Sequence, residues 1–526
     1  MRIGFSSIYS WRPHVEHMHF LATLVRQGGQ ETRFLTCDSD LSTCYGRELR
    51  PERSAWAHCA RCRIGGVRSY ESRNVSSIGA LTSDCGTATA DASSWALSSA
   101  STLGRFESDA DFSSDEFRYF ASRLAPVAGA AYVAAKRWIE KERLDAIFLF
   151  NGRMDATRGI LEAARATGIR CITFERTWFG DGLSLTPDEN CLGLSETNRL
   201  VGEWRDRVLT RAQALRAAKH VALRFLRRNN KEWRAYNIGA KMAPWPVAQA
   251  RRRILLTPTS RNEIWGHPDW RAAWPEPTAA FDGIMARLQL RPEDVVLRCH
   301  PNWGEKIGHK LGDSSEAYYT AWAKSRGIHT IASRDVTSTL GLIEHADAIV
   351  VGGGSAALEA AIIGKQVIAI APSIYQSAGF ESAAYSCDQL DTLTLNVDEE
   401  TCNRARTAAQ ISKLALRFCY TMVYRVAQYV DYVRCITTTQ YRYFEGANPQ
   451  RLLDLIRSGR LSPDDADSDA DESAEEEVVD IVNSRDWEQL ANKMDTAPSS
   501  SRQSIQRRWM YRAVDRVRAA LPHGDL

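Results

Sequence analysis

The run Asp347-Ala-Ile-Val-Val-Gly352-Gly353-Gly354-Ser355-Ala-Ala-Leu-Glu359 carries the residue types from which an anion site is built. Three glycines let backbone approach a ligand closely, and a helix opening at Ser355 aims unpaired N–H groups and a partial positive charge at it. A phosphate would be stable there. Glu359 falls one helical turn further on the same face, where a carboxylate accepts hydrogen bonds from neighbouring hydroxyls. An ordinary strand-turn-helix crossover with a solvated Glu359 accounts for the same residues, because isolated glycine fingerprints are common. Two upstream groups weigh against that reading. Arg298-Cys299-His300-Pro301 is a basic strand exit, and Thr257-Pro-Thr259-Ser260-Arg261-Asn262-Glu263 offers hydroxyls and a guanidinium to a phosphate or carboxylate. Each is also readable as a capped turn.

Groups able to move a proton stand elsewhere. His14 and Glu16 follow the first apolar run, Glu175 ends another, and Asp181 lies just beyond it. Glu175 leads this set, because a lone carboxylate ending a buried strand must be paired or used. Arg153 or Arg176 could simply neutralise it. Cys37, Cys44, Cys59 and Cys62 form a further constellation. Four thiols ending in C-x-x-C permit a tetrahedral structural zinc site, with an iron–sulfur cluster or unliganded thiols as alternatives.

The elements that must position these residues follow from hydrophobic period. Arg2 to Ile8, Thr32 to Leu35, Leu144 to Phe150 and Arg170 to Glu175 read as buried strands, with helices after His14 and over Asp155 to Thr167. The strand and helix alternation restarts at Arg253 and includes Val295 to Arg298, His329 to Ile331 and the glycine-loop unit. The fold expected is therefore α/β, with two Rossmann-like doubly wound domains. In such sheets ligands bind beyond the carboxyl ends of the strands, which is where the candidate residues fall.

The expected boundaries are 1–245, 246–450 and a final 451–526, with a cysteine-rich insertion over about 37–110. The amphipathic stretch Ser114 to Arg143 is expected to break at Pro126, and Leu200 to Tyr236 to form one basic helical segment. The acidic run Asp464 to Glu477 reads as a disordered linker, and Ser501 to Leu521 as a basic amphipathic helix able to meet anionic lipid or a partner. At 526 residues, 44% hydrophobic and 25% charged, the composition is ordinary globular. A net charge of +3 gives no ground for nucleic acid as a partner. With no apolar run of eighteen and no secretory start, the expected location is cytoplasmic, at the inner membrane face if an acceptor is lipid-linked.

Taken together, Arg298, His300-Pro301, Ala346-Asp347, Gly354-Ser355, Glu359-Ala360 and Gly364-Lys365-Gln-Val367-Ile368 resemble GT-B-type glycosyltransferases of bacterial surface polysaccharide synthesis. The likeness is to the capsule-synthesis and Kdo-transferase-like group, and it spans about Ile254 to Phe380. It implies a nucleotide-sugar donor, with His300 and Ser355 at the phosphate or cytidine of a CMP-sugar and Thr259, Ser260, Arg261, Arg298, Gly353, Gly354 and Glu359 around it. Many relatives have Ser-Ser where this chain has Gly354-Ser355, which leaves UDP- or GDP-sugars open. The first half would then present a glycan acceptor and supply Glu175, His14, Glu16 or Asp181 to metal-independent transfer. Nucleotide-sugar epimerases share a similar loop, and a non-catalytic assembly scaffold is a third reading.

Overall fold

The computed structural model describes residues 1–82, 91–232, 239–463, 470–492, 500–505 and 507–513. Two six-stranded sheets dominate it. The first contains β1 (Arg2–Ser7), β2 (Glu31–Thr36), β3 (Val75–Ser77), β4 (Ala146–Phe150), β5 (Arg170–Arg176) and β6 (Leu183–Pro187), in the order β3-β2-β1-β4-β5-β6. The second contains β7 (Ile254–Thr257), β8 (Val295–Arg298), β9 (His329–Ile331), β10 (Ala348–Val351), β11 (Gln366–Ala369) and β12 (Glu381–Ala383), in the order β12-β11-β10-β7-β8-β9. Counted within each half, both orders are 3-2-1-4-5-6, the doubly wound pattern. All pairings are parallel except β5 with β6.

Apolar residues on both faces of each strand explain this layering, since a parallel sheet must be covered twice. Ile3, Phe5, Phe148 and Ile172 pack with the helices His14–Gln27 and Pro449–Ser458, while their alternates Ile147, Leu149 and Cys171 pack with Ala92–Gly104, Asp115–Glu142 and Asp155–Thr167. In the second sheet Leu255, Val296, Ile349 and Val351 face one core, and Ile254, Leu256, Leu297 and Val350 the other. Leu452, Leu453 and Ile456 belong to the first half's core, so the chain returns there after the long helix Thr401–Tyr420.

Several local expectations need correction. The stretch over about 37–110 does not stand apart as an insertion, because it supplies β3 and the helix Ala92–Gly104. A three-residue strand is too short to show a period. Pro126 lies inside one unbroken helix, Asp115–Glu142, held on one side by the helices at Ala92 and Asp155. The basic segment is two helices, Ser195–Trp204 and Arg211–Phe225, the second begun by a Thr210–Gln213 capping box. Of the acidic run, residues 464–469 lie outside the described residues, but Glu472–Asn483 is a helix. Its Glu475 is fully buried against Arg417, at 2.6 Å. In the last segment Arg502–Gln503 is extended as β15 beside β14 (Gln440–Phe444), itself paired with β13 (Val433–Thr437), and 514–526 lie outside the described residues.

Candidate functional site

The carboxyl ends of the two sheets meet. Trp270, beyond β7, donates its indole N–H to the Leu192 carbonyl beyond β6 at 2.8 Å, and the Leu194 N–H donates to Asp269 at 2.9 Å. Ser101 donates to the Asn262 carbonyl at 3.0 Å, and Arg105 donates to the carbonyls of Asn302 and Glu305. The loops on which the sequence places its chemistry therefore line the junction between the halves.

On the second half, β7 lies between β8 and β10. The His300 and Gly353 loops thus stand two strand spacings apart, about 10 Å, with the Thr257–Ser260 loop bridging them. Thr259 packs on the glycine turn, since a Cβ at Gly352 would come 2.6 Å from its hydroxyl oxygen and one at Gly354 2.9 Å from its methyl. Gly353 has φ +120°, and a Cβ there would meet Trp270 and Ser373 at 3.1 and 3.2 Å, so only glycine fits. Tyr375 donates to the Gly354 carbonyl at 3.1 Å. Ser355 is exposed and caps nothing with its side chain. The helix that follows, Ala356–Ile362, is only two turns, so its dipole is smaller than the sequence pattern implies. At the other loop His300 Nδ1 accepts from the Asn302 N–H at 3.2 Å, which puts the ring proton on Nε2.

Four of the residues expected around a donor are spent on bracing. Arg298 is buried and donates to the Ala332 and Asp335 carbonyls. Ser260 is buried and accepts from the Trp303 indole at 2.8 Å. Arg261 reaches across the junction, to the Glu107 carbonyl and to Asp109, both at 2.9 Å. Glu359 pairs with buried Arg224 at 3.1 Å, and Arg224 also binds Glu232 at 2.7 Å. Thr259, His300, Gly353, Gly354 and Ser355 remain on the junction side.

On the first half, the ends of β1, β4 and β5 are neighbours and bring together His14, Asn151 and Glu175. His14 Nε2 stands 3.4 Å from Glu175 Oε1, and Asn151 donates to Glu175 Oε2 at 3.2 Å. The Arg176 N–H adds a bond to Oε1 at 3.0 Å. Asn151 achieves this with φ +65°, a conformation its short amide tolerates. Burial pushes the Glu175 carboxyl above its ordinary value against the pull of Arg176, and burial with Arg176 holds the His14 imidazole well below its ordinary range. The imidazole is therefore neutral at neutral pH. Its buried Nδ1 has no hydrogen-bond partner among the described residues. In the sequence Asn151 belongs, with Gly152 and Arg153, to a strand exit that is one more candidate for the acceptor side; its left-handed backbone has no local signal.

The other two proton-moving candidates do not join this group. Glu16 is paired with Arg12 at 3.0 Å and accepts from Tyr70 at 3.0 Å. Asp181 is saturated by Lys231, Arg434 and the Cys435 N–H at 2.7 to 3.0 Å.

The four cysteines Cys37, Cys44, Cys59 and Cys62 line one pocket with Tyr9, Asp38 and His58. All four are free thiols, and among the described residues no three His, Cys, Asp or Glu side chains form a group that could hold a metal ion. The zinc or iron–sulfur site expected from their spacing does not fit this arrangement. Cys59 and Cys62 sit on the helix Ala55–Gly65 rather than on a knuckle turn, Cys62 faces the Ile8 carbonyl at 3.6 Å, and burial raises the Cys37 thiol to about 11.

No protein family matches the chain, and no curated protein matches it. Among solved structures it is similar to KpsC of Thermosulfurimonas dismutans, a beta Kdo 2,4 transferase, at 15% identity over 64% of this chain and 88% of that one, with a TM-score of 0.32. It is similar to the UDP-GlcNAc 2-epimerase of Neisseria meningitidis at 10% identity, over 78% and 94% of the two chains, with a TM-score of 0.26. MurG of Acinetobacter baumannii gives 12% identity, 87% and 99% coverage, and a TM-score of 0.26. Scores of this size carry no assignment. The class rests on the paired sheets themselves: two Rossmann-like domains joined across their carboxyl edges make a GT-B-type fold.

Proposed function

We propose that this protein is a glycosyltransferase that moves a sugar from a nucleotide-activated donor, held by the second half, to a glycan acceptor presented by the first. The observation that carries the reading is the pairing of two unlike groups of residues on facing strand ends. One is a glycine turn with Thr259, Ser355 and a His300 ring polarised to donate; the other is a neutral imidazole and a carboxylate of raised affinity for protons. Donor phosphates would take N–H and hydroxyl donors from the first group. An acceptor hydroxyl attacks the anomeric carbon as the bond to the phosphate oxygen breaks, the nucleotide leaves with that electron pair, and Glu175 takes the hydroxyl proton. His14 and Asn151 position the carboxylate. The sequence has no carboxylate cluster of the kind that holds a divalent cation beside a diphosphate, so transfer without metal is part of the proposal.

The donor proposed is a CMP-sugar, Kdo or a related acidic sugar, on the resemblance of His300-Pro301, Ser355 and Glu359 to the capsule-synthesis group. The acceptor is a surface polysaccharide or its lipid-linked precursor, and the reaction is placed on the cytoplasmic side. Thermal unfolding in the presence of CMP, UDP and GDP tests the donor site, with CMP expected to raise the midpoint most; a ligand at a hundred times its Kd adds about 2.7 kcal/mol. No shift with any nucleotide would leave a scaffold. Product analysis with CMP-sugar and glycan acceptors then decides the reaction. An altered nucleotide-sugar formed without acceptor would mean an epimerase instead.

A further inference from the structure

Among the described residues, the two most exposed tryptophans lie on segments far apart in the sequence that the fold places side by side. Trp56 is 80% exposed on the helix Ala55–Gly65, and Trp509 is 78% exposed near the end of the described chain. Ile64 and Met510 add further exposed apolar surface, at 43% and 53%. The juxtaposition is made by specific bonds. Arg507 donates to the Ile64 carbonyl, the Arg508 N–H donates to the Ser69 carbonyl at 2.8 Å, and Tyr70 and Arg507 form an antiparallel bridge. Single exposed apolar residues need no explanation, but four of them on two segments bonded to each other do.

Its charge points to the occupant. Residues 50–64 and 502–513 together hold eight arginines, among them Arg53, Arg61, Arg63, Arg508 and Arg512, against a single carboxylate, Glu52. The whole chain is only +3, so the remainder of the molecule outside these two segments is net acidic. Arg53, Arg61, Arg63, Arg508 and Arg512 are exposed. Tryptophan with arginine around an apolar patch is the composition that enters the headgroup region of an anionic bilayer. Among the described residues no helix is long and apolar enough to cross a membrane, so contact would be with one leaflet.

We infer that the surface formed by the helix Ala55–Gly65 and residues 507–513 docks on an anionic lipid bilayer. The same helix packs over the loop leading to His14: Cys62 faces the Ile8 carbonyl, and a Cβ at Gly65 would touch Ser10 at 3.0 Å. Docking here holds the mouth of the first half near the lipid surface. The inference does not depend on the reaction proposed above, because it concerns binding to lipid alone.

Vesicle sedimentation of the full chain tests it, with phosphatidylglycerol in phosphatidylcholine against phosphatidylcholine alone. Binding is expected only to the anionic vesicles and is expected to weaken with salt. Two variants, Trp56→Ala with Trp509→Ala, and Arg53→Glu with Arg63→Glu, should each lower partitioning about tenfold or more. Their melting temperatures should stay near wild type because these side chains are exposed. A variant of the exposed Arg404 and Arg406 on the other half, both changed to Glu, should bind as wild type. Absence of binding to anionic vesicles at low salt, or variants that bind them as wild type does, would overturn the inference. Retention of the chain on an acidic polypeptide but not on vesicles would likewise replace the bilayer with an acidic protein.

Discussion

Glu175 is a quarter exposed, so one side of its carboxylate stays reachable while His14, Asn151 and the Arg176 N–H hold the rest. Glu175→Gln is expected to lower kcat by a hundredfold or more with little change in nucleotide affinity, measured by steady-state kinetics beside a nucleotide thermal shift. Burial raises the Glu175 carboxyl, so its protonated form persists to higher pH than for an ordinary carboxylate. Activity should therefore fall as pH drops through that raised value. Asn151 stabilises the charged form, and Asn151→Gly, which keeps the left-handed backbone, should move this acid limb to still higher pH. A limb that stays put would remove Asn151 from the site. Gly353→Ala is expected to abolish the nucleotide-induced thermal shift at a stability cost of about 1–3 kcal/mol, because φ +120° and the Trp270 contact both oppose a Cβ.

Helices that look like surface cover in the sequence act as braces for the second sheet. The helix Arg211–Phe225 delivers Arg224, 1% exposed, between Glu232 and Glu359 and over the Trp178 ring at 4.7 Å. Arg224→Met would leave two carboxylates facing each other in a buried site, with an expected loss of about 3–5 kcal/mol in denaturant unfolding. A loss under about 1 kcal/mol would mean that the carboxylates find water. The element scale is also where reading from local pattern fell short. Long-range packing keeps Pro126 inside a helix, and Arg417 recruits Glu475 from an acidic run that by composition alone would stay solvated. Neither partner is within reach of any local window.

Across the whole molecule, Glu107 is the joint between the halves. This residue, fully buried, comes from the first half's chain and accepts from the Arg261 N–H, from Tyr319 at 2.9 Å and from Ser315 at 3.2 Å, all in the second half. Burial raises its carboxyl from 4.5 to about 7. Between those values the folded protein holds a proton that the unfolded chain releases, so this group's contribution is complete below pH 4.5 and is lost as pH rises through about 7. The loss amounts to about 3 kcal/mol. Thermal unfolding of wild type and Glu107→Gln over pH 5 to 8 should show the variant gaining on wild type as pH rises; parallel curves would mean the joint is not titrating.

Much of the architecture was readable from one dimension, because apolar runs separated by helical periods are set by near neighbours and parallel strands must be buried on both faces. The glycine turn, His300, His14 and Glu175 could be found the same way, as unusual residues where buried strands end. What waited for three dimensions was the division of those polar residues into braces and unsaturated groups. Arg298, Ser260, Arg261 and Asp181 look as reactive on paper as His14 and Glu175, yet each is satisfied by backbone or side chains, several of them distant in sequence. Hydrogen-bond saturation depends on packing across elements, and for that reason no spacing rule along the chain anticipates it.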